Sequence, residues 1–337
     1  MKNYLYYYSR QIMYHSQVKY CIFLMLIILS GCRDSWVDNN KEIWINFNDT
    51  NDDFTINDSA VDSASIIRVA VASMTSPAET MNKYHQLFSY MEGRLGKKIV
   101  LLQRKTYKEV NDLLKADLLD MAFICSGAYV AGVSDSAFNL FLMPERDNLR
   151  HYHANIIVKK DSPYHSFIDL KGKRFVFSDS LSNTGMFYPL KRLHDFNTDA
   201  ESFFSETYLS NAHDNSIELV NRGIVDGASV NSLIFDYTKE VYPEKVMNIR
   251  VIEESQPFGM PPLVTSKHID SSLRKNLFDV LTNMVKNKEG RDILRSLMIN
   301  RFVTDSDTLY DDIRVMCNEI GYFNKSDHDS RKSLSIK

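Results

Sequence analysis

From residue 66 the apolar positions fall into a repeating order. Ile67-Arg68-Val69-Ala70-Val71-Ala72 alternates and then closes up as a half-buried strand does, and Ser76-Pro77-Ala78-Glu79 follows with an N-cap, a proline at the first helical position and a capping-box glutamate. The helix this predicts puts Tyr84, Leu87, Phe88, Met91 and Leu95 on one face and stops at Gly96. A strand over 99–102 comes next, then Thr106-Tyr107-Lys108-Glu109 as a second capping box, a helix through Leu114, and a strand over 120–124. This βαβαβ order implies a mostly parallel sheet covered by helices. The same grammar restarts near residue 150, with strands over 152–158, 174–177, 225–230 and 249–253 and helices after Thr184 and His213. Gln256-Pro257-Phe258-Gly259-Met260-Pro261-Pro262 then reads as a rigid crossing, followed by a strand over 263–265 and amphipathic helices. Two αβ units therefore lie in tandem.

The two ends do not share this pattern. Residues 1–31 carry Lys2, Arg10 and Lys19 ahead of an apolar run over 21–29, the order of a secretory signal peptide with an apolar part too short for a comfortable membrane span. Leu29-Ser30-Gly31-Cys32 resembles a bacterial lipobox, so Cys32 is expected to become the lipidated first residue, with Met13 a second possible start. Residues 32–65 are rich in Asp, Asn and Ser and read as a flexible tether, and 324–337 as a polar, disordered tail.

Composition narrows the class. At 337 residues, 44% hydrophobic and 25% charged, the chain suits two domains with sizeable cores. Removing residues 1–31 takes away three basic and no acidic side chains and leaves 37 Lys and Arg against 43 Asp and Glu, formally −6. That balance argues against nucleic acid as a partner. Only Cys125 and Cys317 remain in the folded part, to pair or to stay free, and no Cys/His cluster supports zinc. His151 and His153 alternate on one strand without a carboxylate or third histidine beside them, which makes a metal role a minor reading. No GxSxG elbow, HExxH or phosphate-binding Gly-Lys-Ser/Thr loop is present, so no catalytic residues are assigned and no cofactor is expected.

The candidate chemistry lies where strands end. After Arg174-Phe175-Val176-Phe177 comes Ser178-Asp179-Ser180-Leu181-Ser182-Asn183-Thr184-Gly185, dense in hydroxyls and amide and free of lysine and arginine. Open αβ sheets bind ligands beyond the carboxyl ends of their strands, where helix starts present N–H groups to anions. Ser182, Asn183, Thr184 and Gly185 could converge on one oxyanion, each neutral donor contributing about 1 kcal/mol. A Ser/Thr helix cap relaxed by a glycine accounts for the loop equally well, and both readings stand at this point. His213, in Asn211-Ala212-His213-Asp214, opens another helix and could add an uncharged ring N–H. Tyr107, Ser126 and Tyr152 stand at element ends and are the remaining ligand candidates.

The order of these pieces resembles the phosphate/phosphite/phosphonate periplasmic binding proteins, the solute-binding components of ABC importers, over about residues 66–303. That family shows a strand, then Asp-x-x-Ser-Thr-Ser-Gly, a His-Asp or His-Glu helix and Gly-x-Val-Asp; here these are Asp179 to Gly185, His213-Asp214 and Gly223-Ile224-Val225-Asp226. The resemblance implies a type II periplasmic-binding-protein fold, two αβ lobes joined by a two-strand hinge, with 66–150 plus 255–323 as lobe 1 and 151–254 as lobe 2. It implies that Ser182, Asn183, Thr184 and His213 hold the oxyanion and that Tyr107 closes over it beside the Ser126 loop. Asn183 departs from the family's threonine. By alignment Leu233 and Pro261 occupy the positions where aminoalkylphosphonate binders carry acids, which points to a ligand without an amine.

The function expected is a lipid-anchored, monomeric binding protein of the bacterial cell envelope that delivers a small oxyanion to an inner-membrane ABC permease and performs no chemistry. A sensor or orphan receptor of the same fold, coupled to a membrane signalling protein, is the nearer alternative, and a transferase on a two-lobed fold the more distant.

Overall fold

The computed structural model describes residues 66–134 and 137–322. The expected signal peptide, Cys32, the tether and the tail at 324–337 lie outside the described residues. The first stretch runs β1 (Ile66–Val71), α1 (Pro77–Leu95), β2 (Lys98–Leu102), α2 (Tyr107–Lys115), β3 (Met121–Phe123), α3 (Ser126–Ser134) and β4 (Phe138–Glu145). The second contains β5 (His151–Tyr152), β6 (Ala154–Lys159), β7 (Arg174–Phe177), α4 (Tyr188–Asp195), α5 (Ala200–Phe203), β8 (Glu206–Leu209), α6 (His213–Asn221), β9 (Gly227–Asn231), α7 (Ser232–Val241) and β10 (Ile249–Glu254). The chain then returns through β11 (Phe258–Gly259) to β12 (Leu263–Ser266), α8 (Ser271–Thr282), α9 (Lys288–Ser296), β13 (Arg301–Val303) and α10 (Asp311–Glu319).

One sheet has the order β13-β4-β12-β3-β1-β2, the other β10-β6-β9-β7-β8, and β11 pairs with β5 as a two-stranded link. Each sheet with its helices forms a lobe. Both are mixed rather than mostly parallel. In the first, β1 runs parallel to β2 and β3, while β12 is antiparallel to β3 and β4. In the second, β7 is parallel to β8 and β9, and β6 is antiparallel to β9 and β10. β6 and β12 are reversed for one reason, since each enters its sheet from the link, at the end where neighbouring strands finish; β13, antiparallel to β4 at the sheet edge, runs with β12.

The expected strand over 152–158 is broken at His153, because the His153 N–H donates to Ser232 Oγ (3.0 Å) and the Ala154 N–H to Ser255 Oγ (2.8 Å). The strand expected over 225–230 starts at Gly227, since the turn before it is tied down by the Asp226 N–H on the Arg174 carbonyl (2.9 Å). Both lobes use one device to join their inner strands. Arg68 grips Asp120 through Nε and Nη2, and Arg174 grips Asp226 in the same way, 52 residues apart in each case.

Gly96 ends α1 at φ 63°, a left-handed turn that glycine adopts without strain, and Thr106 and Glu109 form the expected capping box on α2. The box expected at Ser76 does not form: Asp214 of the other lobe takes the Ser76 N–H (3.0 Å to each carboxylate oxygen), and Glu79 instead accepts from the hydroxyls of Tyr237 (2.8 Å) and Tyr242 (3.2 Å). Both residues serve the contact between lobes. A continuous apolar core runs from Val110 and Leu114 through Tyr152 and Phe258 of the link to Phe167, Phe175 and Phe204. Cys125 and Cys317 are buried and unpaired, and no described helix is long and apolar enough to cross a membrane.

Candidate functional site

The Phe175, Val176 and Phe177 side chains of β7 are fully buried and carry the following loop into the middle of the molecule. Asn183–Phe187 then forms one wide π-helical turn ahead of α4, and Ser182 caps it by accepting the Gly185 N–H at 3.0 Å. A single-turn π-helix is uncommon and recurs at functional sites. Gly185 is required by packing: a Cβ there would lie 1.8 Å from Ser178 Oγ and 3.0 Å from His213 Cε1. The Thr184 carbonyl accepts from Ser229 Oγ, while the buried Thr184 hydroxyl has no protein partner.

His213 opens α6 against this turn and is wholly buried. Its Nδ1 lies 3.3 Å from the Asn231 backbone N–H, which can only donate, so Nδ1 accepts and the ring proton resides on Nε2. That Nε2–H faces Ser182 Oγ at 3.4 Å. Burial pulls the imidazole pKa down to about 3, so the ring is a neutral donor at physiological pH.

Tyr107, Ser126 and Tyr152 form the opposite wall. Tyr107 is the first residue of α2, Ser126 the first of α3, and Tyr152 lies on the link strand β5. Ser126 Oγ and the Tyr152 hydroxyl are 2.6 Å apart, and Asn183 Nδ2 donates to that hydroxyl at 3.2 Å. The amide donor of Asn183 is thus used in orienting Tyr152. Four buried polar atoms here have no protein partner: Tyr107 Oη, Ser178 Oγ, Asn183 Oδ1 and Thr184 Oγ1. Burial pushes the Tyr107 phenol well above the usual tyrosine range, with Ser182 pulling weakly the other way. All eight residues expected from sequence, Ser182, Asn183, Thr184, Gly185, His213, Tyr107, Ser126 and Tyr152, are brought to this junction of the lobes.

Sequence reasoning did not select Ser178, Asp179 or Asn231 as contributors. Asp179 is buried and joins the lobes, accepting the Leu181 N–H (2.8 Å) through Oδ1 and the Tyr107 N–H (3.1 Å) through Oδ2. Desolvation raises its pKa to about 6 against these two bonds. A family aspartate at that place was visible, but its role as the cap of a helix in the other lobe was not. Helix starts of α2, α3 and α6 and the π-turn converge here, and their dipoles favour negative charge without a formal cation.

Asp179 and His213 give opposite pH dependences. Between about pH 4 and 6 the folded protein retains an Asp179 proton that the unfolded chain has lost, so this group makes stability fall as pH rises. Between about pH 3 and 6.5 the unfolded chain holds a His213 proton that the folded protein lacks, so this group makes stability rise. Asp179→Asn should therefore make the melting temperature climb more steeply from pH 4 to 6, by an amount worth about 2–3 kcal/mol across the window. Parallel curves for variant and wild type would refute the assignment.

Residues 69–310 match the sequence profile described as ABC transporter, phosphonate, periplasmic substrate-binding protein. The chain belongs to this family. The phosphonates-binding periplasmic protein of Escherichia coli (strain K12) is 26% identical over 222 residues, 64% of this chain and 65% of that protein, so the chain spans just under two thirds of that relative's length. A binding protein component of an ABC phosphonate transporter from Pseudomonas aeruginosa superposes with a TM-score of 0.72 at 20% identity, covering 80% of this chain and 94% of that one. PhnD1 from Prochlorococcus marinus, in complex with methylphosphonate, superposes with a TM-score of 0.69 at 17% identity, covering 76% and 98%. The fold is that of the type II periplasmic binding proteins, two αβ lobes about a two-stranded hinge. Among the described residues of this family member, no group of His, Cys, Asp and Glu is placed to hold a metal ion.

Proposed function

We propose that the protein captures a phosphonate-, phosphite- or phosphate-type oxyanion between its lobes and passes it to an ABC permease, from an envelope location to which Cys32 lipidation tethers it. The observation that carries this reading is the set of unpartnered, buried polar atoms on Tyr107, Ser178, Asn183 and Thr184, gathered around the Ser182–His213 pair. Burying such atoms unpaired costs about 1–3 kcal/mol each, and one oxyanion with several oxygens satisfies most of them. The Ser178, Thr184 and Tyr107 hydroxyls and His213 Nε2–H supply donors, while Asn183 Oδ1, an acceptor, suits a protonated oxygen of a phosphonate monoanion. Family membership and the methylphosphonate complex of the Prochlorococcus protein support the ligand class. Neutral donors and helix ends hold the charge more loosely than a lysine or arginine would, which suits a carrier that must release it.

The lobes meet through pairs that can part without leaving a buried charge stranded, such as Arg146–Asp236 (3.1 Å) and Tyr237–Glu79 (2.8 Å), so binding is coupled to hinge closure. Calorimetry on the full-length protein in mild detergent should show micromolar or tighter binding of phosphate, phosphite or methylphosphonate. Absence of heat with all three would overturn the reading.

A further inference from the structure

Next to the oxyanion site lies a cavity of about 80 Å³. It shares Met74 and Asn231 with the site: the Met74 carbonyl accepts the His213 N–H at 3.0 Å, and the Asn231 N–H holds the imidazole. The cavity is therefore one residue removed from His213, and Leu233, Met260 and Pro261 form part of its wall. The charged residues lining it are Lys83 and Arg146, and no carboxylate lines it. Arg146 is paired with Asp236, whereas the Lys83 ammonium sits 4.4 Å from the Tyr237 ring centroid, in the field of Glu79. Desolvation pulls Lys83 down only to about 8, so it keeps its charge at neutral pH.

We propose that this cavity receives the substituent of the bound oxyanion, and that the natural ligand is an organophosphonate or phosphate monoester with an apolar group of about five to eight heavy atoms and no ammonium. The inference rests on the oxyanion reading above and adds the identity of the rest of the molecule. The size follows from the volume, since each water-sized group needs about 10–15 Å³ on this measure. The polarity follows from the walls. Methyl, leucyl and prolyl surfaces reward apolar carbon at roughly three- to fourfold in affinity per buried methylene. A ligand ammonium would meet Lys83 and Arg146 on the wall, while the carboxylates that accompany them, Glu79 and Asp236, do not line the cavity.

The test is calorimetric titration of the full-length protein with methyl-, n-propyl-, n-butyl- and 2-aminoethylphosphonate. Butylphosphonate should bind at least tenfold more tightly than methylphosphonate, and 2-aminoethylphosphonate at least tenfold more weakly than its isostere n-propylphosphonate. Leu233→Trp, which fills the cavity, should bring the butyl-to-methyl affinity ratio close to one. If methyl- and butylphosphonate bind equally, or the aminoethyl ligand outbinds propyl, the substituent assignment is wrong while the oxyanion reading stands. If none of the four nor inorganic phosphate binds, the oxyanion reading itself falls.

Discussion

Gly127→Ala should abolish high-affinity binding, by at least about 100-fold, while leaving the unliganded protein as stable as wild type. Gly127 is the second residue of α3 in one lobe, and a Cβ there would stand 2.4 Å from the Leu181 carbonyl oxygen, 2.7 Å from the Asn183 backbone nitrogen and 2.9 Å from Phe187 Cε2, all in the other lobe. Two of these are backbone atoms of the ligand loop, which cannot yield without distorting it. Within its own helix the alanine is tolerated, since alanine is the better helix former and Gly127 has ordinary helical backbone. The steric cost therefore falls on closure alone. Small-angle scattering with saturating methylphosphonate would show the variant remaining extended, and calorimetry would show the lost affinity. Wild-type binding by Gly127→Ala would mean that the lobes do not need to meet at this point.

Replacing Ser182 and Thr184 together by alanine should weaken oxyanion binding by more than about 100-fold, since hydrogen bonds to a charged group contribute about 1.5–3 kcal/mol each. Stability should fall by only about 1–2 kcal/mol, because the Ser182 cap on the Gly185 N–H is lost, while the Thr184 hydroxyl has no protein partner to lose. Thr184→Val separates shape from chemistry by keeping the volume and deleting the hydroxyl. It should fold normally and bind about tenfold more weakly. Unchanged affinity in the double variant would make the loop a helix cap and nothing more.

The loop also shows how far sequence reasoning reaches. Ser182, Thr184 and Gly185 stand out through the order of motifs that indicates the family, since the loop by itself reads equally well as a helix cap. Asp179 lies within that motif, yet one of its two contacts, the Tyr107 N–H, lies 72 positions away in sequence and belongs to the other lobe. Glu79 shows the same limit from the opposite side. Its spacing from Ser76 satisfies the capping-box rule, but Tyr237 of α7 and Tyr242 just after it take its carboxylate. Local rules describe what a segment can do by itself, and a contact across the cleft outcompetes them.

Sequence alone determined the αβ grammar, the repeated unit, the placement of the 178–185 loop after a buried strand and the stop of α1 at Gly96, because each depends on neighbours within a few residues or on the apolar period. Tertiary structure decided which strands run backwards, since β6 and β12 take their direction from the link through which the chain enters each sheet. It decided the histidine tautomer, fixed by the Asn231 N–H, and the position of Lys83 at an apolar cavity. Each is set by the approach of two segments distant in the chain, and no local pattern of residues encodes that approach.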